Sequence, residues 1–133
     1  MAKTYNVFIS HSWDHVDDLM NLRRLLENRG YFNVNFMETP PHAPINSTNA
    51  YYVKARIREN IKASDIVIGM AGVYASYSDW MRWELDTAIE EKRPILGVIP
   101  WGQTNVSSVI QERANELVRW NTESIVDAIR RLA

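Results

Sequence analysis

In the segment "SDWMRWEL", Ser78 to Leu85, Glu84 follows Trp80 by four residues. On a helix that spacing places an acid one turn after a large aromatic, and Ala88 stands one turn further on. No Lys or Arg occupies positions 80, 81, 87 or 88, the i±3 and i±4 neighbours that would make Glu84 half of a surface ion pair. A carboxylate at a helix start, beside an aromatic wall and facing a crevice, can hydrogen-bond a ribose diol or steady a developing oxocarbenium ion. The alternative is a solvated helix charge, the usual fate of a helical glutamate.

Other chemistries are missing their residues. There is no G-x-G-x-x-G, no G-x-x-x-x-G-K-[ST], no H-E-x-x-H and no G-x-S-x-G. His11 and His15 are four apart, but His11 should precede the helix and no third ligand accompanies them, so no metal site is expected. With no cysteine, disulfides, a thiol nucleophile and cysteine-ligated zinc are excluded, and a reducing cytoplasm fits. Fifteen basic and sixteen acidic side chains leave a charge of −1, without a general pull toward nucleic acid or anionic membrane. The N-terminus lacks a signal-peptide pattern, and no run approaches the ~20 apolar residues of a membrane span.

These side chains need elements to position them. "TYNVFIS" reads as a buried strand from Thr4 to Ser10, ending at polar "HSWD". From Asp14 an amphipathic helix follows, with Val16, Leu19, Met20, Leu22, Leu25 and Leu26 at helical spacing and Gly30 as its stop. "FNVNFME" alternates as a half-buried strand. "TPPHAPINSTN", residues 39–49, has three prolines in eleven residues and reads as a long exposed loop, a candidate lid or recognition segment, mobile or held by a neighbouring subunit. Val53, Ile57 and Ile61 mark a helix from Ala50 to Ala63, and "DIVIGMAG" is a strand covered on both faces. A helix from Asp79 to Lys92, a strand at "PILGVIP", a short edge strand at "ELVRW" and a final helix capped by Asn121 or Thr122 complete the chain.

Such alternation predicts an α/β fold, a doubly wound parallel sheet of about five strands with helices on both faces, in one domain over 1–133. Its ligand crevice lies at the carboxyl ends of the strands, where "SHSWD", the proline loop and "VYASYSDW" meet. Trp13, Trp80 and Trp83 offer flat faces for a planar ring there; alternatively, they cover helix–sheet seams.

The chain resembles the Toll/interleukin-1 receptor (TIR) superfamily, and more closely its prokaryotic TIR-like branch that includes the ThsB proteins of Thoeris anti-phage defence. "VFISHS" is similar to the family's first box, "SDWMRWEL" to its Ser-x-Trp-x-x-x-Glu-Leu helix start, and "WNTESIVDAIR" to the closing segment of the TIR-like branch. The resemblance implies a flavodoxin-like sheet of order 2-1-3-4-5 with "VFIS" and "IVIGM" central. It makes Glu84 the catalytic residue and Ser10, His11, Ser12 and Trp80 the substrate-binding residues. Family members with this glutamate cleave the nicotinamide–ribose bond of NAD, here a substrate rather than a cofactor. ThsB-type members make a cyclic ADP-ribose isomer that activates a downstream effector. The loop "ETPPHAPINSTN" departs from receptor TIR domains, which carry a basic-acidic pair and Pro-Gly there, so their signalling surface is not implied. A homo-oligomer is a possible partner state. The competing readings are a non-enzymatic TIR-like interaction module and a receiver-like regulator, the latter lacking an acidic cluster after strand one.

Overall fold

Apolar runs alternating with amphipathic stretches build five strands and five helices in a computed structural model of the chain, which describes residues 3–12, 15–37, 45 and 47–133, with Tyr74 described by its backbone alone. The strands are β1 (Thr4–Ser10), β2 (Asn33–Phe36), β3 (Ile66–Met70), β4 (Ile95–Val98) and β5 (Glu116–Val118). The helices are α1 (Val16–Glu27), α2 (Ala50–Lys62), α3 (Asp79–Glu90), α4 (Ser108–Arg113) and α5 (Thr122–Leu132), with a 3₁₀ turn at Val73–Tyr77 before α3. All pairings are parallel and the order is β2-β1-β3-β4-β5, as expected. α1 packs with α5 on one face, and α2 with α3 and α3 with α4 on the other.

Burial follows position in the sheet. Every residue of β3 and β4 is buried, which is why these strands read as unbroken apolar runs. β2, at an edge, alternates exposed Asn33 and Asn35 with half-buried Val34 and Phe36. β5, the other edge, is only three residues long, and Asn115 ties its start to β4 through both its backbone N–H and its side-chain oxygen, each on Ile95 at 2.8 Å. On α1 the inward set is narrower than its periodicity predicts: Leu22 and Leu26 are buried, whereas Val16 and Met20 are exposed. The loop reading at 39–49 falls mostly outside the described residues. Ile45 within it is half-buried and packs against the core. No described helix is long and apolar enough to cross a membrane.

Gly69 lets α3 and α4 lie close to the centre of the sheet. A Cβ there would stand 2.9 Å from Ile110 Cδ1 and 3.3 Å from Leu85 Cδ2. Gly69→Val therefore overpacks the interface beneath α3 and should cost ~1–3 kcal/mol, lowering the urea midpoint without changing the slope. An unchanged midpoint would mean that Leu85 and Ile110 have room to spare.

Arg29, just past α1, clamps the first turn of α5 through two hydrogen bonds of 2.9 Å to the two oxygens of Glu123. The hydrogen bond from Arg29 holds the Glu123 carboxyl below its ordinary range. A depressed folded-state pKa adds stability above the unfolded value and loses it as pH falls through the folded value. The stability difference between wild type and Glu123→Gln should thus shrink on acidification through and below the ordinary carboxylate range. A difference that stays constant there would contradict the clamp.

Candidate functional site

β1 ends at Ser10, which pairs in register with Gly69 of β3. β2 lies on one side of β1 and β3 on the other, so winding reverses between β1 and β3 and leaves a crevice at their carboxyl ends. Ser10 sits at that reversal. α3 is set over it by its own start: Ser78 is the N-cap, its Oγ accepting the Met81 N–H at 3.1 Å, and Asp79 places a negative charge at the positive end of the helix. Met81, Leu85 and Ala88 then form the face laid on the sheet, all fully buried.

Glu84 goes inward with them. It lies three residues after Met81 and four before Ala88, so the same stripe carries its carboxylate into the seam, where it is 1% exposed. There the Ser10 hydroxyl donates to Glu84 Oε1 at 2.7 Å, joining residues 74 apart in sequence. Taking a carboxyl group out of water is costly unless it is hydrogen-bonded, and the Ser10 hydroxyl meets part of that need. Glu84 is therefore not a solvated helix charge.

His11 follows Ser10, is 2% exposed, and has its Nδ1 3.4 Å from the Ile9 carbonyl oxygen. Ser12 is half-buried, and its carbonyl accepts the His15 N–H at 2.9 Å as the chain enters α1. Trp80, one turn before Glu84, is buried rather than half-open, with its ring edge-on to Trp83 at 5.8 Å and 82°. Trp83 in turn lies under the Lys54 ammonium at 5.7 Å and the Arg58 guanidinium at 5.9 Å of α2, while Arg58 also pairs with Glu90 and Glu91. Trp83 thus covers the α2–α3 seam, with Trp80 packed edge-on against it in the core; Trp13 lies outside the described residues.

The structure brings Ser10 and Glu84 into direct contact, with His11 next to Ser10 in the chain and Trp80 one turn before Glu84. It differs from the sequence expectation in exposure. Ser10, His11 and Glu84 are buried rather than exposed, and the stripe Met81, Leu85 and Ala88 lays the face of α3 that carries Glu84 on the sheet. That stripe was visible in the sequence and is the signal for an inward Glu84. Two positioning residues escape the sequence reading, Gly69 and Ser107, whose Oγ lies 2.8 Å from Ser76 Oγ and also caps α4; Ser78 was read as the first residue of the helix-start motif but not as its cap. A serine before an acidic first turn was the available signal for Ser78. Among the described residues no group of three or more His, Cys, Asp or Glu side chains could hold a metal ion.

Residues 8–105 match the family model described as "Thoeris protein ThsB, TIR-like domain", a span that contains Ser10, His11, Ser12, Trp80 and Glu84. A comparison with curated proteins by sequence returns no match. Solved structures of the same fold include a 2-deoxyribosyltransferase from Bacillus psychrosaccharolyticus, 17% identical over 92% of this chain and 90% of that one, with a TM-score of 0.63. Another is a CMP N-glycosidase from Clostridium botulinum, 15% identical over 94% and 98% of the two chains, with a TM-score of 0.57. At these identities the likeness is one of fold.

Proposed function

Since this chain belongs to the TIR-like domain family of the Thoeris protein ThsB, we propose that it is an NAD-consuming enzyme of anti-phage defence that cleaves the nicotinamide–ribose bond. The observation that carries the reading is the buried contact between Ser10 and Glu84 at the β1/β3 reversal, where open parallel sheets bind their ligands. Nicotinamide leaves with the bonding electron pair, so no base is needed to break the bond. What remains at C1′ is a ribosyl oxocarbenium ion, and the Glu84 carboxylate stabilises it electrostatically while holding the ribose hydroxyls. Ser10 positions the carboxylate; His11, Ser12 and Trp80 shape the walls around the substrate. Capture of C1′ by a group of the same ADP-ribose gives a cyclic product that signals to a downstream effector, and capture by water gives the linear one. The names of the two similarly folded proteins, a deoxyribosyltransferase and an N-glycosidase, support glycosidic-bond chemistry on such a sheet.

The 1% exposure of Glu84 favours a second reading, a non-enzymatic interaction module in which the Ser10–Glu84 bond is architecture. Incubation of the purified protein with NAD, with and without extract of phage-infected cells, followed by mass spectrometry separates the two. The enzyme reading expects nicotinamide together with a cyclic or linear ADP-ribose. Intact NAD in both arms supports the module.

A further inference from the structure

A second concavity opens at the carboxyl ends of β4 and β5. Its volume is about 330 Å³, the low end of the range for small-molecule sites, and its walls include Trp101, Gln103, Thr104, Arg119 and Trp120. No acidic residue lines it, although the chain carries sixteen. Among the described residues Arg119 makes no hydrogen bond or ion pair, so its guanidinium has charge and donors to offer. Trp101 is held out by a turn built for the purpose: the Gln103 N–H donates to the Pro100 carbonyl at 3.2 Å, and Gly102 takes the positive φ of 78° that the third position of a type II turn requires. The result is an indole 80% exposed at the rim of a cleft, where packing gives no reason for it.

We propose that this cleft binds a flat heteroaromatic ring carrying a negative group, of mononucleotide size, with Trp101 and Trp120 supplying faces for the ring and Arg119 pairing with the anion. Parallel strands lie ~4.8 Å apart, so β4 stands roughly 10 Å along the sheet edge from β1 and the cleft is separate from Glu84. The inference does not depend on NAD cleavage.

Adenosine monophosphate is a suitable probe, since it has the ring and the phosphate but no nicotinamide bond to break. The five tryptophans give five indole N–H signals, assignable by single Trp→Phe variants. On titration, the Trp101 and Trp120 signals should move, and should move equally in Glu84→Gln. Trp101→Ala should weaken binding by about tenfold or more, as loss of a stacking face does. Arg119→Gln should weaken the nucleotide but leave adenosine unaffected, which separates the ring from the phosphate. Both side chains are exposed, so either variant keeps the proposal testable if the other fails to fold. Three results would overturn it: no movement of the Trp101 and Trp120 signals at millimolar nucleotide, affinity unchanged in both variants, or Trp101 shifts that depend on protein concentration without nucleotide, which would make the cleft a contact between copies.

Discussion

Glu84→Gln should lower NAD turnover by ~100-fold or more, equivalent to ~2.7 kcal/mol of transition-state stabilisation, in a protein that remains folded. Glutamine keeps the shape of the side chain and an oxygen that can accept the Ser10 hydroxyl, now 2.7 Å from Glu84 Oε1. What it removes is the negative charge opposite the cation formed as nicotinamide leaves. If the Ser10–Glu84 bond were only a tie between β1 and α3, the substitution would preserve it and turnover would not change. The cost in stability should stay near ~1 kcal/mol, from an amide N–H₂ placed where a carboxylate oxygen was. Turnover and a thermal melt on the same preparation, under conditions where wild type consumes NAD, read both quantities. A well-folded variant with full turnover removes Glu84 from the mechanism.

Trp80→Ala should be the most damaging substitution for folding, at ~3–5 kcal/mol, a large share of the ~5–15 kcal/mol that holds a domain of this kind together. The indole is 8% exposed, lies edge-on to Trp83, and sits in the seam that Lys54 and Arg58 close from α2. Its removal leaves a cavity at the first turn of the helix that carries Glu84. Activity lost in this variant is therefore a packing effect until folding is restored. Trp80→Phe, which keeps a ring in the seam, should recover most of the stability. Urea denaturation of both variants checks this: an alanine variant within ~1 kcal/mol of wild type would show that the indole contributes little to the packing of α3.

The sheet was legible because β3 and β4 are covered on both faces and so are apolar along their length, and because β1, exposed at Thr4, is buried from Val7 to Ser10 in an aromatic and β-branched run. The edge strands were legible for different reasons, β2 through its alternation and β5 only through its place before a capped helix. α4 was not read, because six residues give less than two turns of periodicity, and its N-cap Ser107 is recognisable only once Ser76 and Ala71 are seen beside it. Within the candidate site, the spacing of Trp80 and Glu84 was read on a helix, and α3 is that helix. The exposure of Glu84 was not legible, since it depends on a serine 74 residues away and on how closely Gly69 lets α3 approach. The helical stripe at Met81, Leu85 and Ala88 carried part of that information. It shows that an acid between inward positions is a buried acid.

That burial frames the most direct test. A substrate can reach a carboxylate 1% exposed only if residues over it move, so catalysis by Glu84 requires a bound state that uncovers the carboxylate while Ser10 still holds Oε1. A crystal structure with a non-cleavable NAD analogue reads this directly. The nicotinamide ribose should lie at the carboxyl ends of β1 and β3, with a ribose hydroxyl donating to the Glu84 carboxylate at ~2.6–3.2 Å. An analogue bound elsewhere on the sheet edge, out of reach of the Glu84 carboxylate, would contradict this.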